Sequence, residues 1–277
     1  MRATVVLKPS ESKRLIAKAV ASLPTVQEAL REAFVVICEG STNTLVAEEI
    51  LGKKFKSEHF TSGISIGGTL CLADKDARGK FPLVLDKGDL SPLTMLEALE
   101  RFHPKTVIIK GGNAIDPQRL VGVIVSGFDG GSVAKMMGTI VSQGLRLICP
   151  IGLEKMVVSV TDAARHAGGK RFDYSMGPDY GIYIVSHAEV VTEIDALAVL
   201  SGAKSVHVAS GGIGGNEGAV ILAIEGDQDQ VDRAIQSVCS VKGEPAQQGI
   251  RATCVGCKYV KCAFFDKTKE ELPSWIV

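Results

Sequence analysis

The stretch Phe34-Val35-Val36-Ile37-Cys38-Glu39-Gly40-Ser41-Thr42-Asn43-Thr44 decides the fold. Its first five residues form an unbroken apolar run, the pattern of a strand buried on both faces, as in a parallel sheet. Gly40 permits a sharp turn, and the hydroxyl and amide side chains after it are of the kind that open helices. Leu45 to Leu51 is expected to be that helix.

Working outward, the same unit recurs. Upstream, Thr4–Leu7 predicts a short strand and Glu11 to about Ser22 a helix striped with Leu15, Ile16, Ala19 and Val20. Pro24 suits the first turn of a second helix ending near Glu32. Downstream, Ser91-Pro92 opens an expected helix to about Arg101, and Thr106–Ile109, Val121–Val125 and Leu145–Cys149 read as further buried strands. Between the last two, Val133, Met136, Met137 and Ile140 share a helical face that Gly144 closes. Strands alternating with helices predict the α/β class, with a Rossmann-like parallel sheet and helices on both faces. His59 to Asp86 is expected to be a glycine-rich, β-rich excursion. A break near Ala167–Pro178 then separates an α/β domain over residues 1–170 from a smaller α+β domain over 180–277. The order strand, helix, two strands, helix in the second fits a ferredoxin-like module.

Composition narrows the function classes. The 277 residues carry 31 basic and 31 acidic side chains. That balance argues against general nucleic-acid binding, which draws on surplus Lys and Arg. No apolar stretch approaches the roughly 20 residues that span a bilayer, and the first residues do not read as a secretory signal. Of the seven cysteines, Cys38, Cys71, Cys149 and Cys239 lie in apolar or helical contexts and read as packed small hydrophobes. A reducing compartment, the cytoplasm, is expected.

Four loops at expected strand ends hold the candidate chemistry. Gly40, Ser41, Thr42, Asn43 and Thr44 offer free backbone N–H groups at a helix start, where a phosphate or carboxylate is favoured, although plain capping explains the same residues. Lys110-Gly111-Gly112-Asn113 leaves a strand at its C-terminal end, with Asp116 able to take a proton or to brace a turn before Pro117. Asp129-Gly130-Gly131-Ser132, with Lys135 one turn on, offers a capping serine, a carboxylate and an ammonium. Glu154 and Lys155 follow Pro150; Glu154 is a catalytic candidate, and the two also suit a simple surface ion pair.

Phe34 to Leu51, with its Gly-Ser-Thr turn, resembles the first strand–turn–helix of the NagB/RpiA/CoA-transferase-like superfamily. Asn113–Asp116, Gly130–Lys135, Met137–Ile140 and Leu147–Pro150 resemble that group's later loops, helix and strand. The resemblance covers about the first 160 residues. It implies a Rossmann-like sheet binding a phosphosugar, nucleotide or acyl-CoA-type ligand at these loops. Sugar-phosphate isomerases of the group carry an Asp-Gly-Ala-Asp-type motif, whereas Phe128-Asp129-Gly130-Gly131 here keeps one carboxylate only.

Cys254, Cys257 and Cys262 form a separate Cys-x2-Cys-x4-Cys cluster, a candidate zinc or iron–sulfur site. Three ligands are local; Cys239 or His207 is a fourth if folding brings it near. An alternating strand over Cys254–Phe265 accounts for the same spacing. The sequence thus predicts an enzyme of isomerase or transferase type, or a binding protein, for a small anionic molecule. A non-catalytic effector, redox or metal sensor, or an assembly protein, is the alternative, and a homo-oligomer is expected.

Overall fold

The computed structural model describes residues 1–276. Strand β1 (Arg2–Leu7) leads into α1 (Pro9–Ser22) and α2 (Pro24–Glu32), each with a proline in its first turn, where the missing N–H costs nothing. Strand β2 (Phe34–Ile37) feeds α3 (Ser41–Leu51). Two hairpins follow, β3 (Gly63–Ile66) with β4 (Thr69–Leu72) and β5 (Leu83–Asp86) with β6 (Asp89–Ser91). Then come α4 (Met95–Glu100), β7 (Val107–Ile109), β8 (Ala114–Ile115), β9 (Val121–Val125), α5 (Gly131–Gln143), β10 (Arg146–Pro150) and α6 (Val160–His166). The rest is β11 (Gly181–Val185), β12 (Glu189–Val191), α7 (Glu193–Ser201), β13 (Lys204–Ser210), β14 (Val220–Glu225) and α8 (Gln228–Cys239).

The chain is mixed α/β around a six-stranded sheet of order β12-β10-β7-β2-β5-β6. Strands β2, β7, β10 and β12 are parallel and stand in chain order, and β5 and β6 extend the sheet antiparallel. Burial on both faces explains the unbroken apolar runs. Val35, Ile37, Val107, Ile109 and Ile148 pack into one cluster with side chains of α1, α2, α3, α7 and α8. Val36, Ile108, Leu147 and Cys149 face a second cluster with α4 and α5.

Several expectations are corrected. Helix α3 begins at Ser41 rather than Leu45, because Thr42, Asn43 and Thr44 are buried against the sheet. Helix α4 begins at Met95 under a capping box of Thr94 and Glu97, so Ser91-Pro92 does not open it. Val121–Val125 is a strand, but it lies antiparallel in a separate sheet of order β8-β9-β11. An apolar run records burial and not the direction of the neighbouring strand.

Residues 180–277 were expected to fold as a module of their own, yet they do not close a sheet alone. Strand β12 joins the six-stranded sheet, β11 pairs with β9, and β14 pairs along its length with β1. The sheet β1-β14-β13 therefore joins the two ends of the chain, and Leu7 and Leu15 share a cluster with Leu222 and Val231. Arg14 of α1, 4% exposed, reinforces the joint with ion pairs to Glu48, to Glu49 at 2.8 Å and to Glu244 at 2.8 Å.

Beyond α8 the described residues 240–276 form turns and isolated bridges only, so the strand expected over Cys254–Phe265 is absent from them. Among the described residues no helix is long and apolar enough to cross a membrane.

Candidate functional site

The C-terminal ends of the parallel strands lie side by side. At the end of β2, Gly40 has a φ of 148°, a conformation open to glycine, and caps α3 with no side-chain hydrogen bond. Asn43 ties two strand ends together: its Nδ2 donates to the Cys38 carbonyl at 2.9 Å and to the Ile109 carbonyl at 3.3 Å. Its Oδ1 is buried and has no hydrogen-bond partner. Thr44 Oγ1 donates to the Gly40 carbonyl at 3.0 Å, and the Ser41 carbonyl accepts from Gln247 Nε2 at 2.7 Å. Thr42 is buried, so these two side chains serve packing and the local turn. Gly111 sits between strand ends: a methyl there would lie 3.6 Å from the Pro150 carbonyl and 3.8 Å from Asn43 Oδ1.

Lys110 directly follows β7 and is 8% exposed as a residue; its ammonium, not itself sealed from solvent, enters no ion pair or hydrogen bond among the described residues. It lies near the Cys38 and Cys149 thiols, whose own burial pushes both up to about 12 and keeps them protonated.

Lys155 does not pair with Glu154 at the surface; its Nζ donates to the Gly112 carbonyl at 2.9 Å. Burial lowers the Lys155 pKa. The Glu154 charge opposes that shift, and the neighbouring Lys13 and Lys110 charges add to it. Lys13, on α1, is likewise lowered by burial and supported by Glu154.

Two carboxylates lie near Lys155, and one of them, Glu154, also lies near Lys13. Glu154 Oε2 is buried without a partner. Glu193, at the start of α7, is fully buried and accepts from the Leu153 N–H at 2.9 and 3.2 Å. Burial first, and then the Glu154 charge, push Glu193 up to about 7. Three lysines and two carboxylates thus gather from α1, the residue after β7, the turn after β10 and the start of α7. The glycine-rich β13–β14 loop borders the same place, since a methyl on Gly218 would lie 3.9 Å from Glu154 Cβ.

Sequence reasoning found Lys110 and Glu154 but missed Lys13 and Glu193. Lys13 sits beside Ser12 and Arg14, polar residues on the packed face of α1, which is the one available signal. Glu193 lies inside the Thr192–Asp195 capping box and reads as an ordinary first-turn acid.

The other expected residues are placed elsewhere. Asp116 is 2% exposed and its carboxylate accepts from the N–H groups of Gln118, Leu120 and Val160 at 3.0–3.1 Å, so it wires the loop after β8 to α6. Asn113 Oδ1 accepts from Ile124 N–H at 2.9 Å, bracing the β8–β9 hairpin. Asp129 and Lys135 pair at 2.8 Å, half-exposed, at the start of α5, where Asp129 also accepts from Gly131 N–H. Gly130 there has a φ of 70° and caps the helix. Ser132 Oγ donates to Glu39 Oε1 at 2.9 Å, while Glu39 Oε2 is buried and unpartnered. Glu39, Ser132 and Lys135 line an open groove with Pro82 and Thr94.

Cys254 is buried and Cys257 and Cys262 are half-buried, and all three line one cavity. Among the described residues no three His, Cys, Asp or Glu side chains are arranged to hold a single metal ion as they lie. Neither Cys239, exposed on α8, nor His207, which contacts Ser210 Oγ at 2.7 Å, lines that cavity.

No family model matches the chain, and no curated protein matches its sequence.

Proposed function

We propose that the chain binds and transforms a small anionic molecule at the ends of its parallel strands, in an isomerase- or transferase-type reaction. The observation carrying this reading is Lys110, whose stem is packed at the end of the parallel strands and whose ammonium pairs with no carboxylate among the described residues. A lysine that packs its stem and keeps its head within reach of solvent holds that charge free for an incoming anion. A phosphate or carboxylate from a ligand supplies that anion, and Lys13 and Lys155 add positive charge beside it. Asn43 Oδ1 and the open N-terminus of α3 offer an acceptor and free N–H groups at the same sheet edge.

Glu154 and Glu193 supply acid–base chemistry in this reading. Burial raises Glu193 to about 7, so it can hold a proton to give, and the unpartnered Glu154 Oε2 offers an acceptor near it. The phosphosugar, nucleotide or CoA-ester classes implied by the NagB/RpiA/CoA-transferase-like resemblance are the first ligands to try. The four parallel strands standing in chain order support the Rossmann-like reading within it. The seven free thiols support a cytoplasmic setting, and exposed Val6, Val206 and Val208 on the β1-β14-β13 sheet support a homo-oligomer.

The test is calorimetric titration with inorganic phosphate, sugar phosphates, nucleotides and CoA esters. A ligand of this site binds Lys110→Ala at least tenfold more weakly, roughly the loss of one charge-assisted bond. The reading fails if every ligand that binds the protein binds Lys110→Ala equally well. Glu154→Gln is expected to retain binding and lose turnover.

A further inference from the structure

The cysteine cavity lies in the part of the chain with the least regular structure. Residues 240–276 hold no helix or strand among those described, and their own cluster rests on Cys254, Phe264 and Ile276 as its buried members. Segments this short of apolar burial are ordinarily held by a covalent or metal staple. No disulfide supplies one, since every cysteine is free.

A fourth thiol, which the sequence does not connect with the other three, is brought to them by the fold. Arg251 and Ala252 run beside β4: Ala73 bridges Arg251, and Ala252 N–H donates to the Leu72 carbonyl at 3.0 Å. This places Cys71 of β4 on the same cavity as Cys254, Cys257 and Cys262. Cys71, read from the sequence as a packed hydrophobe, is half-buried and turned to that space. A second segment fixes Cys262, where Ser175 bridges it and Ala263 N–H donates to the Ser175 carbonyl at 2.9 Å.

The local backbone suits a cluster. Cys257 N–H donates to the Cys254 carbonyl at 3.1 Å, closing a turn that presents both thiols, with Gly256 at a φ of 69°. Phe264 N–H points at Cys262 Sγ at 3.4 Å, the kind of N–H to sulfur bond that tunes iron–sulfur centres. Arg251 stands beside Cys71 and Cys254 and offsets negative charge, while Leu70, Pro178 and Phe264 keep the space apolar. The cavity's free volume is about 50 Å³, room for more than a lone ion. No three of the thiols close on one ion as they lie. A cubane spreads its four sulfur ligands farther apart than a tetrahedral zinc ion does, so four cysteines that line one cavity without converging on one ion suit the cluster better than zinc.

We infer that Cys71, Cys254, Cys257 and Cys262 ligate a [4Fe–4S] cluster in the cavity they line, as thiolates that release their protons to solvent on binding. Anaerobic protein is reconstituted with sulfide and equal ferrous and ferric iron, the oxidation levels of the resting cube, so no outside oxidant is needed. The expected result is a brown protein with about four iron and four sulfide per chain. Cys71→Ser and Cys257→Ser lose the iron, and Cys239→Ser keeps it. To remove dependence on variants that fail to fold, the loaded wild-type protein is alkylated and mapped by mass spectrometry. Cys239 is then labelled, and the four ligands are protected until a chelator is added. Three outcomes overturn the inference: no iron and sulfide retained, colourless zinc binding alone, or Cys71 labelled as fast as Cys239 in the loaded protein.

Discussion

The strand-end site and the cysteine cavity gather their side chains in opposite ways. Lys110, Glu154 and Glu193 stand on or beside strands and helices whose apolar faces are fully buried, so the sheet fixes them whether or not a ligand is bound. Three of the four thiols hang on a chain of turns bridged to Ala73 and Ser175, and the fourth, Cys71, lies on the short hairpin strand β4. The first region can afford unpaired charge because packing elsewhere stabilises it. The second has little packing to draw on, and its order is expected to depend on what its thiols hold.

The largest effect tests the joint between the regions. Arg14 meets Glu48, Glu49 and Glu244, and Glu244 begins the run toward the cysteines. Arg14→Ala leaves buried carboxylates without their partner and is expected to cost about 3–5 kcal/mol in denaturant unfolding. Hydrogen exchange should rise both in α3 and in residues 244–262. A rise confined to α3 would show that the cysteine segment is anchored without this tie.

A second prediction concerns the strand-end site alone. Glu193 is pushed from 4.5 up to about 7, so between those values the folded chain holds a proton that the unfolded chain has released. Folding then takes up a proton, and stability falls as pH rises across that window. A shift of that size corresponds to about 3 kcal/mol. Glu193→Gln, which keeps an acceptor for Leu153 N–H, should flatten this slope and be the more stable form at pH 8. An unchanged slope in urea midpoints from pH 4.5 to 7.5 would remove Glu193 from the acid–base pair.

These contrasts also mark what the sequence made legible. The unbroken runs Phe34–Ile37, Val107–Ile109 and Leu147–Cys149 announced central strands because burial on both faces leaves no polar alternation to misread. The same reasoning misplaced β9, whose run is as apolar but pairs antiparallel in a smaller sheet. Lys110 was legible as a lysine at a strand end. Lys13, Glu193 and Cys71 were not, because each joins its cluster through topology: α1 crossing the sheet edge, α7 starting beside the turn after β10, and β4 meeting Arg251. No local spacing encodes those meetings.

The smallest expected effect is the most selective. Gly152 has an ordinary extended backbone, with φ −79° and ψ 149°, so alanine fits its conformation. A methyl there would collide with the Glu154 carboxylate, the mobile end of a side chain and not backbone. Gly152→Ala should therefore cost less than about 1 kcal/mol in stability while swinging Glu154 away from Glu193 and the lysines. Removing that like charge should lower the pH at which Glu193 titrates, moving the stability transition toward acid. Turnover should fall with the displaced carboxylate, while anion affinity, resting on Lys110, stays within a few-fold of wild type. If turnover survives with the titration shifted, Glu154 sets the acidity of Glu193 and does not itself move the proton.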